Sequence, residues 1–223
     1  MTSTRLEDIF SRKRIEREFF PGFLQGTLLG GALILIYILT GTMRSLGSQI
    51  QLGEAPLRIA TILFRMTVLC VFAYAESWIF FHQIPKQVKR RLPELVLANG
   101  LAVLYCGIKV LQFDLDGMQV VTLYLVAILL FYRMRQEDSF ARGAGYWAGL
   151  LVLFSPLLSL PLFGNEFQGI LWLKVQIPIL ENKYTHVLTG GVGGPISSFA
   201  LQLLLIMTLS RSMLKNGDTR TIA

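Results

Sequence analysis

Three ionisable residues fall inside long apolar stretches of this chain: Arg65, Glu76 and Lys109. A charged side chain in an apolar medium is costly, so such residues are candidates for function by default. A carboxylate can take a proton from water, and a nearby cation can stabilise the anion that forms. Arg65 and Glu76 are eleven residues apart. On a helix that is three turns, so they share a face but lie about 16 Å apart along the axis, too far to pair. Lys109 lies toward the outer end of its stretch, where its plain role is to reach for the interface. Glu76 lies toward the opposite, cytoplasmic end of its own stretch. It is expected as a structural hydrogen-bond anchor to a neighbouring helix.

Other chemistries fail on inventory. There are two histidines, His82 and His186, on opposite sides of the membrane in the topology derived below, and no HExxH. No metal and no other cofactor is expected. Asp114 and Asp116 sit in a short polar turn and read as solvated loop acids. No GxSxG occurs. The run GGVGG at 190–194 lacks the Lys and Ser of a phosphate loop and reads as a tight turn and a site of close helix packing. Cys70 and Cys106 both lie in apolar stretches, a pattern of core packing rather than of a disulfide framework.

The elements that carry these residues are membrane helices. The chain has 223 residues, 53% hydrophobic and 16% charged, with 21 Lys and Arg against 14 Asp and Glu. Its mean hydropathy is +0.55. Soluble domains hold about 25% charged residues. The composition predicts an all-α polytopic bundle in one domain, with the bilayer as its solvent. Apolar stretches run over 22–43, 57–81, 94–113, 118–133, 143–163 and 190–210, the fifth interrupted by Pro156 and Pro161. A span needs about 20 residues, so six are expected. Residues 3–20 read as an amphipathic interfacial helix, with Thr4 and Glu7 as a capping box. The first twenty residues are too charged for a signal peptide. The expected division is a leader over 1–21, a transmembrane domain over 22–210 and a cytoplasmic tail over 211–223. The segment 164–189 is too interrupted to span and reads as interfacial or re-entrant.

The basic residues orient the bundle. Fifteen Lys and Arg fall in the N-terminal segment, the loop 82–93, the segment 133–142 and the tail, against four on the other side. The positive-inside rule therefore places both termini in the cytoplasm, in a cell inner or equivalent organellar membrane. The same rule accounts for the net +7, and no nucleic-acid partner is implied.

Several segments together resemble the CPBP intramembrane proteases, the CAAX prenyl endopeptidases and bacteriocin-processing proteins, over about residues 57–210. AESWIF (75–80) followed by KQVKRRL (86–92) resembles the family's EExxxR motif and its basic flank. YCGIK (105–109) stands in the place of FxxxH, and LLFYRMRQEDSFARGAGYWAGLL (129–151) has the rhythm of the helix, Arg-rich turn and HxxxN helix. GGVGGPISS (190–198) resembles the run that opens the family's last helix, and it is the most specific match.

The resemblance implies a helical intramembrane fold with a glutamate that activates water and with His and Asn that stabilise charge. Of the glutamate pair this chain keeps Glu76, beside Ala75. The motif arginine falls on Phe80, the two histidines on Lys109 and Trp147, and the asparagine on Leu151. Trp and Leu supply neither base nor polarising amide. The expected function is therefore that of a catalytically inactive member that binds a membrane-protein partner, as assembly factor, chaperone or complex subunit. Two alternatives stand beside it: an active glutamate-dependent endopeptidase, and a transporter or channel component.

Overall fold

A computed structural model describes residues 15–40, 43–48, 55–88, 93–136, 140–158, 160, 171–175 and 195–220. The protein is a helical bundle. Its helices are α1 (Phe20–Leu39), α2 (Ala55–Trp78), α3 (Ile84–Val88), α4 (Glu94–Gln112), α5 (Gly117–Gln136), α6 (Phe140–Val152) and α7 (Phe199–Arg220). Strands β1 (Met43–Ser48) and β2 (Leu171–Val175) form one antiparallel pair.

Four of these helical runs are long and apolar enough to cross a membrane: Glu16–Leu39, Pro56–Val88, Glu94–Gln112 and Gly117–Arg135. The apolar part of α7, Phe199–Arg211, is shorter, and α6 has 13 residues. Large apolar side chains point outward, with Leu28 63%, Phe64 71% and Leu111 88% exposed. Contiguous grease of this kind is hostile to water and suits acyl chains. The protein is a membrane protein.

Several expected boundaries move. The first span begins earlier than residue 22, because a π-helical turn at Ile15–Phe19 runs straight into α1. It also ends earlier, at Leu39, and residues 43–48 form a strand. Residues 1–14, most of the expected interfacial helix, lie outside the described residues. The second span does not stop at 81. A π turn at Ile79–Gln83 joins α2 to α3, and the run stays helical to Val88.

Proline explains these wide turns. A proline ring removes an N–H and crowds the carbonyl four residues back. A π turn adds a residue to the turn and opens the space. Each of the three π turns among the described residues adjoins or holds a proline: Pro21, Pro85 and Pro156. Pro156 thus widens the end of α6, in the fifth apolar stretch, rather than breaking it, and helical structure persists to Leu157.

The segment expected to be interfacial or re-entrant contributes β2, which pairs with β1 through Met43 with Val175 and Arg44 with Lys174. The register slips between Ser45 and Ser48, a bulge that takes in Gly47. The last helix is longer than expected and continues to Arg220, into the segment read as a tail. GGVGG lies outside the described residues.

The core is built around α6, whose residues from Gly143 to Val152 are all buried. Its most extensive contact is with α1. Gly22, Gly26 and Gly30 recur every fourth residue on α1, and Gly145 and Gly149 do so on α6. A Cβ on Gly26 would strike the Tyr146 carbonyl, and one on Gly149 the Phe23 carbonyl. Small residues at this spacing let two membrane helices meet backbone to backbone.

Polar ties hold the last helix to the others. Ser198 caps α7 by accepting from the Leu201 N–H at 3.2 Å, and it is hydrogen-bonded to Tyr37 of α1. Ser197 donates to Asp116 at 2.7 Å. Asp116 is not merely a solvated loop acid. It accepts from the Gln119 N–H at 2.8 Å while Gln119 accepts from the Asp116 N–H at 3.0 Å, a reciprocal capping box at the start of α5. Gln202 donates to Thr122 at 3.2 Å across the α5–α7 contact.

Candidate functional site

Glu76 sits on α2 three residues before its π turn, with Lys109 and Tyr105 facing it from α4. Lys109 donates to one carboxylate oxygen of Glu76, forming an ion pair. Tyr105 donates to the other at 3.0 Å. The side chains of the pair are 6% and 14% exposed for Lys109 and Glu76, so bulk water screens it only weakly. The Lys109 ammonium also lies 5.8 Å, 5.5 Å and 5.6 Å from the ring centres of Phe72, Tyr105 and Phe113. The rings' negative faces favour a cation there and repel an anion.

Sequence places Lys109 and Glu76 toward opposite ends of their stretches and leaves open whether they meet; in the structure they do. The reason is the length of the second helical run. From Glu76 the chain stays helical for twelve residues, to Val88. Across the loop, Lys109 is fifteen residues beyond the start of α4 at Glu94. At about 1.5 Å per residue these climbs are about 18 Å and about 22 Å, a gap that a lysine side chain spans. The helix α4 carries Lys109 there without a break, running on to Gln112. Glu76 is an anchor to a neighbouring helix, as expected through Tyr105, and in addition one half of an ion pair.

Trp147 and Leu151 reach the same place from α6. A cavity of about 220 Å³ is lined by Arg65, Phe72, Glu76, Lys109, Trp147 and Leu151, with Val68, Leu69, Ala73 and Phe113. The Trp147 indole N–H faces the Tyr105 hydroxyl but does not complete a hydrogen bond. Leu151 adds only hydrocarbon. Arg65 shares the cavity although it does not contact Glu76, since three helical turns separate the two.

Other residues singled out by sequence lie elsewhere. Phe80 packs edge-on against Tyr105 at 5.4 Å, and Ala75 is exposed on the outer face of α2. His82, within the π turn, has its ring tilted against Phe140 at 4.8 Å and lies 3.0 Å from the Lys86 ammonium. His186 is outside the described residues. Among the described residues no three His, Cys, Asp or Glu side chains gather as a metal site would require.

Tyr105, Phe72 and Phe113 were not expected to bear on Glu76. Tyr105 stands four residues before Lys109, one turn away on the same face, and this spacing carried the signal. Phe72 stands in the same relation to Glu76.

The arrangement holds a buried carboxylate still. Both carboxylate oxygens are engaged where Glu76 lines the cavity, and among the described residues no amide or imidazole side chain lines that cavity. No family model matches this chain, and neither the curated proteins nor the solved structures contain a match to it.

Proposed function

We propose that this chain is an integral membrane protein of CPBP-like character that has lost hydrolytic chemistry and acts by binding a membrane-protein partner. In this reading it spans an inner or equivalent membrane six times, with both termini cytoplasmic. The observation that carries the loss of chemistry is the occupancy of Glu76. Both of its oxygens are engaged, one by Lys109 and one by Tyr105. Peptide hydrolysis needs a free base and an oxyanion stabiliser together. Here the base is engaged, and Trp147 and Leu151 stand where polar groups would serve.

The resemblance draws support from convergence. Four positions that it assigns from sequence, Glu76, Lys109, Trp147 and Leu151, come from three helices and line one cavity. Partner binding is the function that such a site leaves open, since a scaffold needs the shape of the cavity and not its chemistry.

The test has two arms. Purified protein in liposomes is given prenylated and membrane-spanning peptides, and no cleavage above background is expected. Cleavage that Glu76→Gln abolishes would make the protein an endopeptidase and overturn the proposal. The second arm is purification of tagged protein from its native membrane in mild detergent, where a stoichiometric membrane-protein partner is expected. A lone chain from that preparation would count against the scaffold role.

A further inference from the structure

We infer that a small pocket at the shared end of α3, α4 and α5, walled by His82, Lys86 and Arg135, holds the phosphate of an anionic phospholipid. The inference goes beyond the reading of Glu76 and does not depend on it.

Position is the first ground. Lys86 lies in α3, in the last turn of the helical run that ends at Val88. Leu97 lies in the first turn of α4, and Met134 and Arg135 lie in the last turn of α5. All four line one pocket. The helix α4 has 19 residues, about 28 Å, against a hydrocarbon core of about 30 Å. Its start, and the pocket beside it, therefore sit at the edge of the hydrocarbon, at headgroup level. In the proposed topology this edge faces the cytoplasm, where the membrane surface potential is negative.

Charge is the second. His82 and Lys86 are four residues apart on one helical face, and His82 belongs to the π turn Ile79–Gln83. Such turns recur at functional sites. The Lys86 ammonium donates to His82 Nε2 at 3.0 Å. A ring nitrogen that accepts is uncharged, so it holds the ammonium in place and leaves its charge uncancelled. The ammonium has three N–H donors, and among the described residues His82 takes one of them. Arg135 is different: the Glu94 carboxylate pairs with it at 3.3 Å and matches its charge. No carboxylate of the described residues lines the pocket itself. The wall thus carries one positive charge in excess, on Lys86, with N–H donors for a phosphate oxygen.

Shape is the third. Beneath the polar groups the wall is hydrocarbon, from Phe81, Leu97, Phe131 and Met134, all buried. The pocket volume is about 100 Å³, below the range of about 300–1,000 Å³ typical of whole-ligand pockets. It has room for a phosphate group and not for chains. Nearby on the same helical ends, Ile79, Leu95 and Val96 are exposed, an apolar surface on which acyl chains can lie. A free phosphate would meet the ammonium but leave this surface uncovered, so the source is a lipid.

The test is native mass spectrometry of the full chain, released from detergent that holds dioleoyl phosphatidylglycerol and dioleoyl phosphatidylcholine in equal amounts. The phosphatidylglycerol adduct should be about fivefold more occupied, the weight of one basic side chain on an anionic headgroup. Lys86 is exposed, so its substitution leaves the core intact. Lys86→Gln should bring the two lipids to near-equal occupancy, and Lys86→Arg should retain the preference. Arg58→Gln, at the far end of the same helical run, removes an equal charge and should leave the preference as in the wild type. Glycerol phosphate, the same headgroup without chains, should give no comparable adduct.

Equal occupancy by the two lipids in the wild type overturns the inference. So does a preference that survives Lys86→Gln, or one that falls equally in Arg58→Gln, since the attraction would then belong to the whole surface and not to this pocket. Glycerol phosphate bound as fully as phosphatidylglycerol would make the ligand a soluble phosphate and overturn the lipid as its source. The wild-type and glycerol phosphate measurements require no variant, so they decide the matter even if Lys86→Gln does not fold.

Discussion

Glu76 and Lys109 stand 33 residues apart in the chain and form an ion pair inside the bundle, between α2 and α4. Taking two charges out of water costs several kcal/mol per ion, and their attraction offsets this only while both are present. Glu76→Leu and Lys109→Met alone should each destabilise the protein by about 3–5 kcal/mol. The double substitution should recover most of that loss. Glu76→Gln should behave like Glu76→Leu, because it too leaves the ammonium without its counter-charge. Thermal unfolding in detergent of the wild type, three singles and the double measures the coupling. Additive losses would show that the pair is not a unit.

The α1–α6 seam gives a second expectation. A Cβ on Gly26 would overlap the Tyr146 carbonyl, which is backbone and cannot swing aside. Gly26→Ala should therefore destabilise by about 1–3 kcal/mol, the usual weight of overpacking. Gly107 on α4 has open space where its Cβ would stand. Gly107→Ala should be neutral or stabilise by up to about 1 kcal/mol through backbone entropy. Opposite signs from the same substitution, read by thermal unfolding, are the outcome to look for.

Asp116 closes a capping box on α5 and accepts from Ser197 at the start of α7. Asp116→Ala should cost about 1–2 kcal/mol. Asp116→Asn keeps an acceptor oxygen for the Gln119 N–H and should lose less than half of that. Equal losses in the two variants would shift the weight from the hydrogen bonds to the charge.

Orientation is testable by thiol labelling after Cys70 and Cys106 are replaced by alanine. In the proposed topology a cysteine at Val88 is labelled only from the cytoplasmic side. Cysteines at Asp114 and Val175 are labelled only from outside. Labelling of position 88 from outside would invert the bundle.

Much of this architecture was legible in the chain itself. Composition and stretch length dictate membrane helices, because the solvent of a span is hydrocarbon and its residues must be apolar along about 20 positions. Costly ions such as Glu76 and Lys109 stand out in that background for the same reason. The fourth-residue recurrence of Gly22, Gly26 and Gly30 was also present to be read, since close helix approach leaves that mark.

What only tertiary structure decided is which residues meet. The partnership of Glu76 with Lys109 depends on whether the helix after Trp78 stops or continues. The π turn at Ile79–Gln83 keeps it going past Pro85 to Val88. A shift of a few residues in that end moves Glu76 by several ångströms in depth, and apolar content does not register it. The pairing of Met43–Ser48 with Leu171–Val175 is likewise a contact across most of the chain, made by strands without a local pattern of their own. Hydrophobicity along a chain sets the environment of each segment. The choice of neighbour is set by packing in three dimensions, which local sequence does not encode.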